Sequence, residues 1–201
     1  MSHAFCLVAI PASVLAGDTE SFVARLMQPF DENLEHDCPR GEANDWEAEC
    51  ATCDRSWWDW WQIGGRWTGV FDDYEPRLDP DNVETCSLCR GTGMRDDPGA
   101  VAHRLENPDY TCNGCNGVGV DVKWPTDWKP HPGDRQPYET VVSAYREGKC
   151  LPFRFLIAEQ VVAREEWDGR AFIETPDFNE LTLRAVTAAR GCDFVVVDYH
   201  S

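Results

Sequence analysis

Apolar residues in this chain come in short runs set between long polar stretches. Ala4-Phe-Cys-Leu-Val-Ala-Ile10 is unbroken and reads as a buried strand that Pro11 ends. Asp18-Thr-Glu is a helix-start signature, and Phe22, Val23, Leu26 and Met27 then recur at helical spacing until Pro29. Residues 31–50 hold eight acidic residues and one Arg and read as a polar loop organised by metal. The aromatic stretch 57–67 follows, and Trp67-Thr-Gly-Val-Phe71 predicts a further strand. Residues 72–84, with six acids and one Arg, read as a turn-rich exit loop. Pro125, Pro130, Pro132 and Pro137 suit an extended return over 122–140. Phe153 to Val162 predicts a strand, Thr175-Pro-Asp177 a helix start running to about Arg190 with Gly191 as its stop, and Cys192 to His200 a closing strand. This order predicts one α+β domain over 1–201, with a mixed or antiparallel sheet and two packing helices. Two cysteine-rich segments, 35–53 and 80–121, read as insertions stabilised by zinc.

Six of the ten cysteines form three C-x-x-C pairs: Cys50/Cys53, Cys86/Cys89 and Cys112/Cys115. Each such turn puts two sulfurs on one side of a tight loop, and two facing turns make a tetrahedral set of four thiolates suited to Zn²⁺. The later pairs read Cys86-Ser-Leu-Cys89-Arg-Gly91-Thr-Gly93 and Cys112-Asn-Gly-Cys115-Asn-Gly117-Val-Gly119, both C-x-x-C-x-G-x-G. The glycines accept φ > 0 after the turn and let backbone amides approach the thiolates. Over 86–119 this doublet resembles half of the zinc-finger region of DnaJ-type co-chaperones, with two repeats instead of four and no His-Pro-Asp tripeptide. The resemblance implies a four-cysteine zinc site and not a co-chaperone. The first pair has Cys38 and His36 upstream, which offers a second site of His36, Cys38, Cys50 and Cys53. Cys6, Cys150 or an acid is an alternative fourth ligand. A catalytic dithiol is the rival reading of Cys50/Cys53, although the strand-then-helix context of a thioredoxin motif is missing.

Six of nine tryptophans lie between Trp46 and Trp67. On a strand Trp58, Trp60 and Gln62 point one way and Trp57, Asp59 and Trp61 the other, so one face needs a cover, a partner or a ligand. Gly64-Gly65 allows a tight turn, and Arg66 between glycine and Trp67 can stack or hold an anion. Either this is an aromatic core corner, or Asp59, Trp60, Arg66 and Trp67 line a pocket for a base or a phosphate. At the end of the chain Asp198 and His200 share a strand face. A carboxylate beside an imidazole can orient a general base or a metal ligand, and a solvated tail is the other reading. His3 and His103 have no partner legible in the sequence.

The opening strand, Gln28-Pro-Phe-Asp-Glu-Asn33, the Trp58-Asp-Trp-Trp-Gln-Ile-Gly-Gly-Arg-Trp67 box and Val197-Asp-Tyr-His200 resemble a family of small bacteriophage-encoded proteins. Its pattern has Trp-Asp-Trp-Tyr-x-x-Gly-Gly-Arg-Trp and a C-terminal Asp-Cys-His, so Trp61 and Tyr199 depart from it. The likeness covers about a third of the chain, in blocks that flank the cysteine segments. It implies a phage accessory protein in the host cytosol and brings no reaction with it.

Charge narrows the partners. Lys+Arg number 18 against 36 Asp+Glu, a formal net charge of -18. Two filled metal sites would bring it to about -21, because four thiolates on zinc carry a net -2 and three thiolates with an imidazole -1. Direct nucleic-acid binding is therefore not expected. No apolar run reaches the ~20 residues that span a bilayer, and Met1-Ser2-His3 is not a basic leader. These features predict a cytosolic protein with no membrane partner. The functions in view are a zinc-stabilised binder of a host protein or a signalling nucleotide, as in counter-defence, and a nucleotide or phosphodiester hydrolase using Arg66 with Asp198 and His200. An acidic nucleic-acid mimic, resting on charge alone, comes third. No complete catalytic constellation is legible, and the tryptophan surface suits an oligomer interface as readily as a pocket.

Overall fold

The computed structural model describes residues 3–39, 49–149, 152–158, 160–167 and 171–200. The chain divides into two compact units, one built from 1–74 with 130–201 and the other from 75–129. The second unit is wider than the 80–121 insertion read from the sequence.

The first unit is built on β1 (His3–Pro11) and β10 (Cys192–His200), two nine-residue strands paired antiparallel along their whole length. β6 (Arg154–Ile157) runs parallel on the other side of β1, and β7 (Gln160–Ala163) turns back antiparallel to it. β10's outer edge is shared. β2 (Trp60–Ile63) pairs with Val197–His200 and β5 (Arg135–Pro137) with Asp193–Val195, both antiparallel. The sheet is thus mixed, as α+β patterning predicts. A separate ribbon joins β8 (Glu165–Trp167) to β9 (Phe172–Glu174).

The unbroken apolar run of β1 is explained by cover on both faces. Phe5, Leu7 and Ala9 join Phe194, Val196 and Phe155 in one cluster, beneath α4 (Tyr138–Arg146) and α5 (Phe178–Ala188) through Val141, Val142, Phe178 and Val186. Cys6, Val8 and Ile10 join Val195, Val197, Tyr199 and Leu156 in the other, beneath α1 (Thr19–Met27) through Val23 and Met27. Cys6 is fully buried there and is no metal ligand; Cys150 lies outside the described residues.

Several predicted elements differ. Residues 67–71 form no strand, because Gly64, Gly65 and Gly69 take φ of 73°, 56° and 82° and coil the segment into turns. β5 takes the remaining edge of β10 beside Asp193–Val195. The run 153–162 is a hairpin, broken at Ala158 with φ 50°. The return over 122–140 is partly coiled into short 3-10 turns, and α4 follows Pro137 directly. The helix predicted from Thr175 starts at Phe178, after Asp177 in a left-handed conformation.

Strand alternation also fails at the start of the tryptophan box. Trp57 and Trp58 both bury into the α1 face, because the chain there crosses the end of α1 before the strand begins. The Trp57 amide donates to Phe30 O (2.9 Å), and the Trp58 indole donates to Met27 O (3.0 Å). α2 (Ala51–Arg55) leads into this crossing.

The second unit contains the ribbon β3 (Val83–Thr85) with β4 (Val120–Val122) and α3 (Pro98–Glu106), which Asp97 caps through the Ala100 amide. Its buried cluster consists of Cys86, Cys89, Cys112 and Cys115. Among the described residues no helix is long and apolar enough to cross a membrane.

Candidate functional site

The second unit is organised around four sulfurs. β3 leads into Cys86 and β4 leads away from Gly119, with Thr85 and Val120 paired. The Cys86 amide donates to Gly119 O (3.0 Å) and the Cys112 amide to Gly93 O (2.8 Å), so each turn is tied to the other's tail. Glycine is required in those tails. Gly93 has φ 73° and a Cβ there would lie 2.3 Å from Gly117 O; Gly119 has φ 86° and its Cβ would lie 2.5 Å from Gly91 O. The residue after each pair, Arg90 and Asn116, also takes positive φ (54° and 50°). Sγ of Cys86 and Cys112 lie 3.9 Å apart, and those of Cys89 and Cys115 3.6 Å. A tetrahedron with ~2.3 Å metal–sulfur bonds has sulfur–sulfur edges of ~3.8 Å, so the set fits one metal ion. Burial opposes ionisation of Cys89, but the amides of Gly93 and Gly91 and the neighbouring thiols bring it down to about 7. The Gly119 amide also donates to Cys115 Sγ (3.2 Å).

A second set lies in the first unit. Cys38 Sγ is 3.8 Å from Cys50 Sγ and 3.6 Å from Cys53 Sγ, and His36 Nε2 is 3.3 Å from both Cys50 and Cys53. His36 Nδ1 faces Leu34 O at 2.8 Å, which fixes the tautomer and leaves Nε2 as the ligand atom. The Cys53 amide and the groups around it bring the Cys50 thiol down to about 6. In both sets the four ligand atoms lie within 4.8 Å of one another, so each can hold a metal ion.

A third cluster sits where β1, β2 and β10 end together. The register places His3 opposite His200 and Trp60 opposite His200 from the other side. His3 Nδ1 lies 3.0 Å from Asp198 Oδ1, and His200 Nδ1 lies 2.7 Å from Asp59 Oδ1. The two imidazole rings are 5.3 Å apart, and His3 meets Trp60 edge-on at 5.6 Å. Asp198 is fully buried, so its charge needs partners. Its other oxygen accepts the Arg66 amide at 3.1 Å. The Gly64-Gly65 turn makes that approach possible, since a Cβ on Gly65 would lie 2.6 Å from Asp198 Oδ2. Trp67 stacks on Phe5 (5.4 Å), the β1 residue opposite Asp198, and its indole N–H has no partner among the described groups. Arg66 itself is exposed.

The box and the C-terminal Asp-x-His therefore meet: Asp59, Trp60, Arg66, Asp198 and His200 share one corner, with Trp67 beside it. His3 was not legible as a member. It lies one residue ahead of the apolar run, and only the antiparallel register of the first and last strands sets residue 3 against residue 200. Asp134 was missed as well. It is buried, accepts the His131 amide (2.7 Å) and the Thr68 hydroxyl (3.2 Å), and leaves Oδ1 unpartnered. Burial pushes its carboxyl up. A depression of about 630 Å³ on α4, lined by Tyr138, Ser143, Arg146 and Arg190 among others, includes none of these site residues.

Compared with known protein families, curated proteins and solved structures, the chain finds no match.

Proposed function

We propose that this is a zinc-stabilised protein that binds a phosphate-bearing ligand of the nucleotide class at the corner formed by His3, Asp59, Trp60, Arg66, Asp198 and His200. The carrying observation is the Arg66 amide on the buried Asp198, which brings the tryptophan box onto the strand end that bears both imidazoles. Arg66 supplies a permanent charge for phosphate, a protonated imidazole supplies an Nε2–H donor, and Trp60 supplies an aromatic edge for a base. Zinc is the ion that best suits both ligand sets, because it takes tetrahedral thiolate and imidazole ligands without redox chemistry. The phage resemblance of the box supports a role against a host signalling nucleotide.

The test is native mass spectrometry of protein purified without chelator, followed by titration with inorganic phosphate and AMP. Two zinc ions and a binding signal that Arg66→Ala weakens about tenfold, with an unchanged melting curve, are expected. Failure of both probes to bind, or binding indifferent to Arg66→Ala, refutes the site. Salt gives a second readout. A protein of charge -18 repels an anionic ligand, so screening should speed association, whereas an acidic mimic would lose its basic partner as salt rises.

A second reading is favoured by the second unit. Val118, Val120, Val122 and Trp124 alternate along and beyond β4, and all four are exposed. Such a stripe suits a protein partner, and Trp124→Asp should abolish host-protein binding without touching AMP.

A further inference from the structure

His3 changes what this corner can do. A lone Asp–His pair orients one imidazole; here two such pairs stand side by side on the central strands. Each imidazole gives its Nδ1–H to a carboxylate, at 3.0 Å for His3 and 2.7 Å for His200. The carboxylate fixes the tautomer and leaves Nε2 as the working nitrogen. Among the described residues none takes either Nε2. Both side chains keep about a fifth of their surface exposed, 23% for His3 and 21% for His200. The environments differ: Asp198 is fully enclosed, whereas Asp59 is 35% exposed. No described serine, threonine or cysteine is bonded to either ring, so a covalent nucleophile is not built into the site.

We infer that His3 and His200 form a general acid–base pair that cleaves a phosphodiester; this rests on the phosphate-binding reading above. Displacement at phosphorus brings the entering and leaving oxygens to opposite sides of one atom, so a base and an acid are needed together. Two rings 5.3 Å apart offer both. The neutral imidazole takes the proton of an attacking water as its oxygen forms the new P–O bond. The protonated imidazole gives its proton to the ester oxygen as the old P–O bond breaks. One proton is gained and one lost, no electrons are transferred, and exchange with solvent restores the starting pair. Asp198 and Asp59 balance whichever ring is charged, and Arg66 balances the non-bridging oxygens. The charged groups around the pair are Asp198 on β10, Asp59 ahead of β2, Asp31 and Glu32 in the loop beside Asp59, and Arg154 on β6, with the exposed Arg66 tied in through its backbone amide.

The experiment uses the metal-loaded full chain with bis(p-nitrophenyl) phosphate and 2′,3′-cyclic AMP as probes. Wild type, His3→Gln, His200→Gln and the double variant are compared, with AMP binding measured on each. The expected result is turnover with a bell-shaped pH profile, a fall of about 10²–10⁴-fold in each single variant, and a double variant little worse than either single. Each single variant should also lose one limb of the bell. AMP binding that depends on Arg66 without turnover of either probe overturns the catalytic inference and leaves the binding site standing. Absence of AMP binding overturns both. Turnover in the double variant at the wild-type rate also overturns the assignment. Glutamine keeps the hydrogen-bonding shape, and an unchanged melting curve in each variant shows that the lost step is chemical.

Discussion

Gly65→Ala is the most direct test of how the corner is held. Gly65 has φ 56°, a left-handed conformation that costs a non-glycine residue about 1–2 kcal/mol. The added methyl would lie 2.4 Å from Gln62 Nε2 and 2.6 and 2.7 Å from Asp198 Oδ2 and Cβ. Asp198 has no slack, because one oxygen holds His3 and the other holds the Arg66 amide. Moving it breaks one bond of a buried charge, worth about 1.5–3 kcal/mol. The expected total is about 2.5–5 kcal/mol. Gly148 is the control: its φ is 68° and nothing lies within 4 Å of an added Cβ, so Gly148→Ala should cost only the backbone share of about 1–2 kcal/mol. Urea unfolding of the metal-loaded variants gives both values. The ring-nitrogen resonances of His3 give an independent readout that should move in Gly65→Ala alone. Equal losses in the two variants, with His3 unmoved, would refute the claim that the turn positions Asp198.

Three further outcomes are expected. Cys86→Ser should lower the zinc count by one and unfold the second unit, read by native mass spectrometry and amide exchange over 75–129; an unchanged count would sink the assignment. Selective loss of the ion from His36, Cys38, Cys50 and Cys53, as in Cys53→Ser, should broaden the His200 resonances and spare those of His3. Asp134 gives a pH signature. Burial raises its pKa above the unfolded value, so its contribution is fully present at low pH and is lost as pH rises through the raised value. Asp134→Asn should therefore gain stability relative to wild type as pH rises above the ordinary carboxyl range, measured by urea unfolding at each pH, and a flat difference would show that the carboxyl is not raised.

Local signals were legible where one residue type has one use. Each C-x-x-C-x-G-x-G run declared its thiolate set, and the positive φ of Gly91, Gly93, Gly117 and Gly119 follows from it. The first and last strands were legible because an apolar run buried on two faces has no other use. What was hidden depends on register and on local backbone conformation. The run 67–71 is as apolar as a strand, but positive φ at Gly64, Gly65 and Gly69 keeps it coiled. Trp57 and Trp58 share a cluster because the chain crosses the end of α1 there, which no alternation rule encodes. α4 follows a proline-rich stretch that read as extended, yet Pro137 at its N-cap is compatible with a helix start. His3 is a lone histidine at a chain end, and its partner is 195 residues away.

The two metal sets do different physical work. In the second unit the buried cluster is the four cysteines themselves; a segment of 55 residues with no larger apolar core among the described residues would draw folding energy from an ion bound there. In the first unit the sheet already has a core on both faces, and an ion held by the four ligands would instead clamp two arms. Residues 31–38 and 50–59 are joined at one end by the four ligands and at the other by the Asp31–Trp58 bridge and the Glu32 amide on Trp58 O. Asn33 then donates to Asp59 O (3.1 Å), and the Asp59 amide donates to His200 O (3.0 Å). Asp59 is thus held by loops that a metal would close, whereas Asp198 is held by the central strand and the Gly65 turn. One dyad inherits the rigidity of the sheet, and the other would inherit that of an ion in the His36, Cys38, Cys50 and Cys53 set. The His200 arm should therefore respond to chelation, while the His3 arm responds only to changes in the fold.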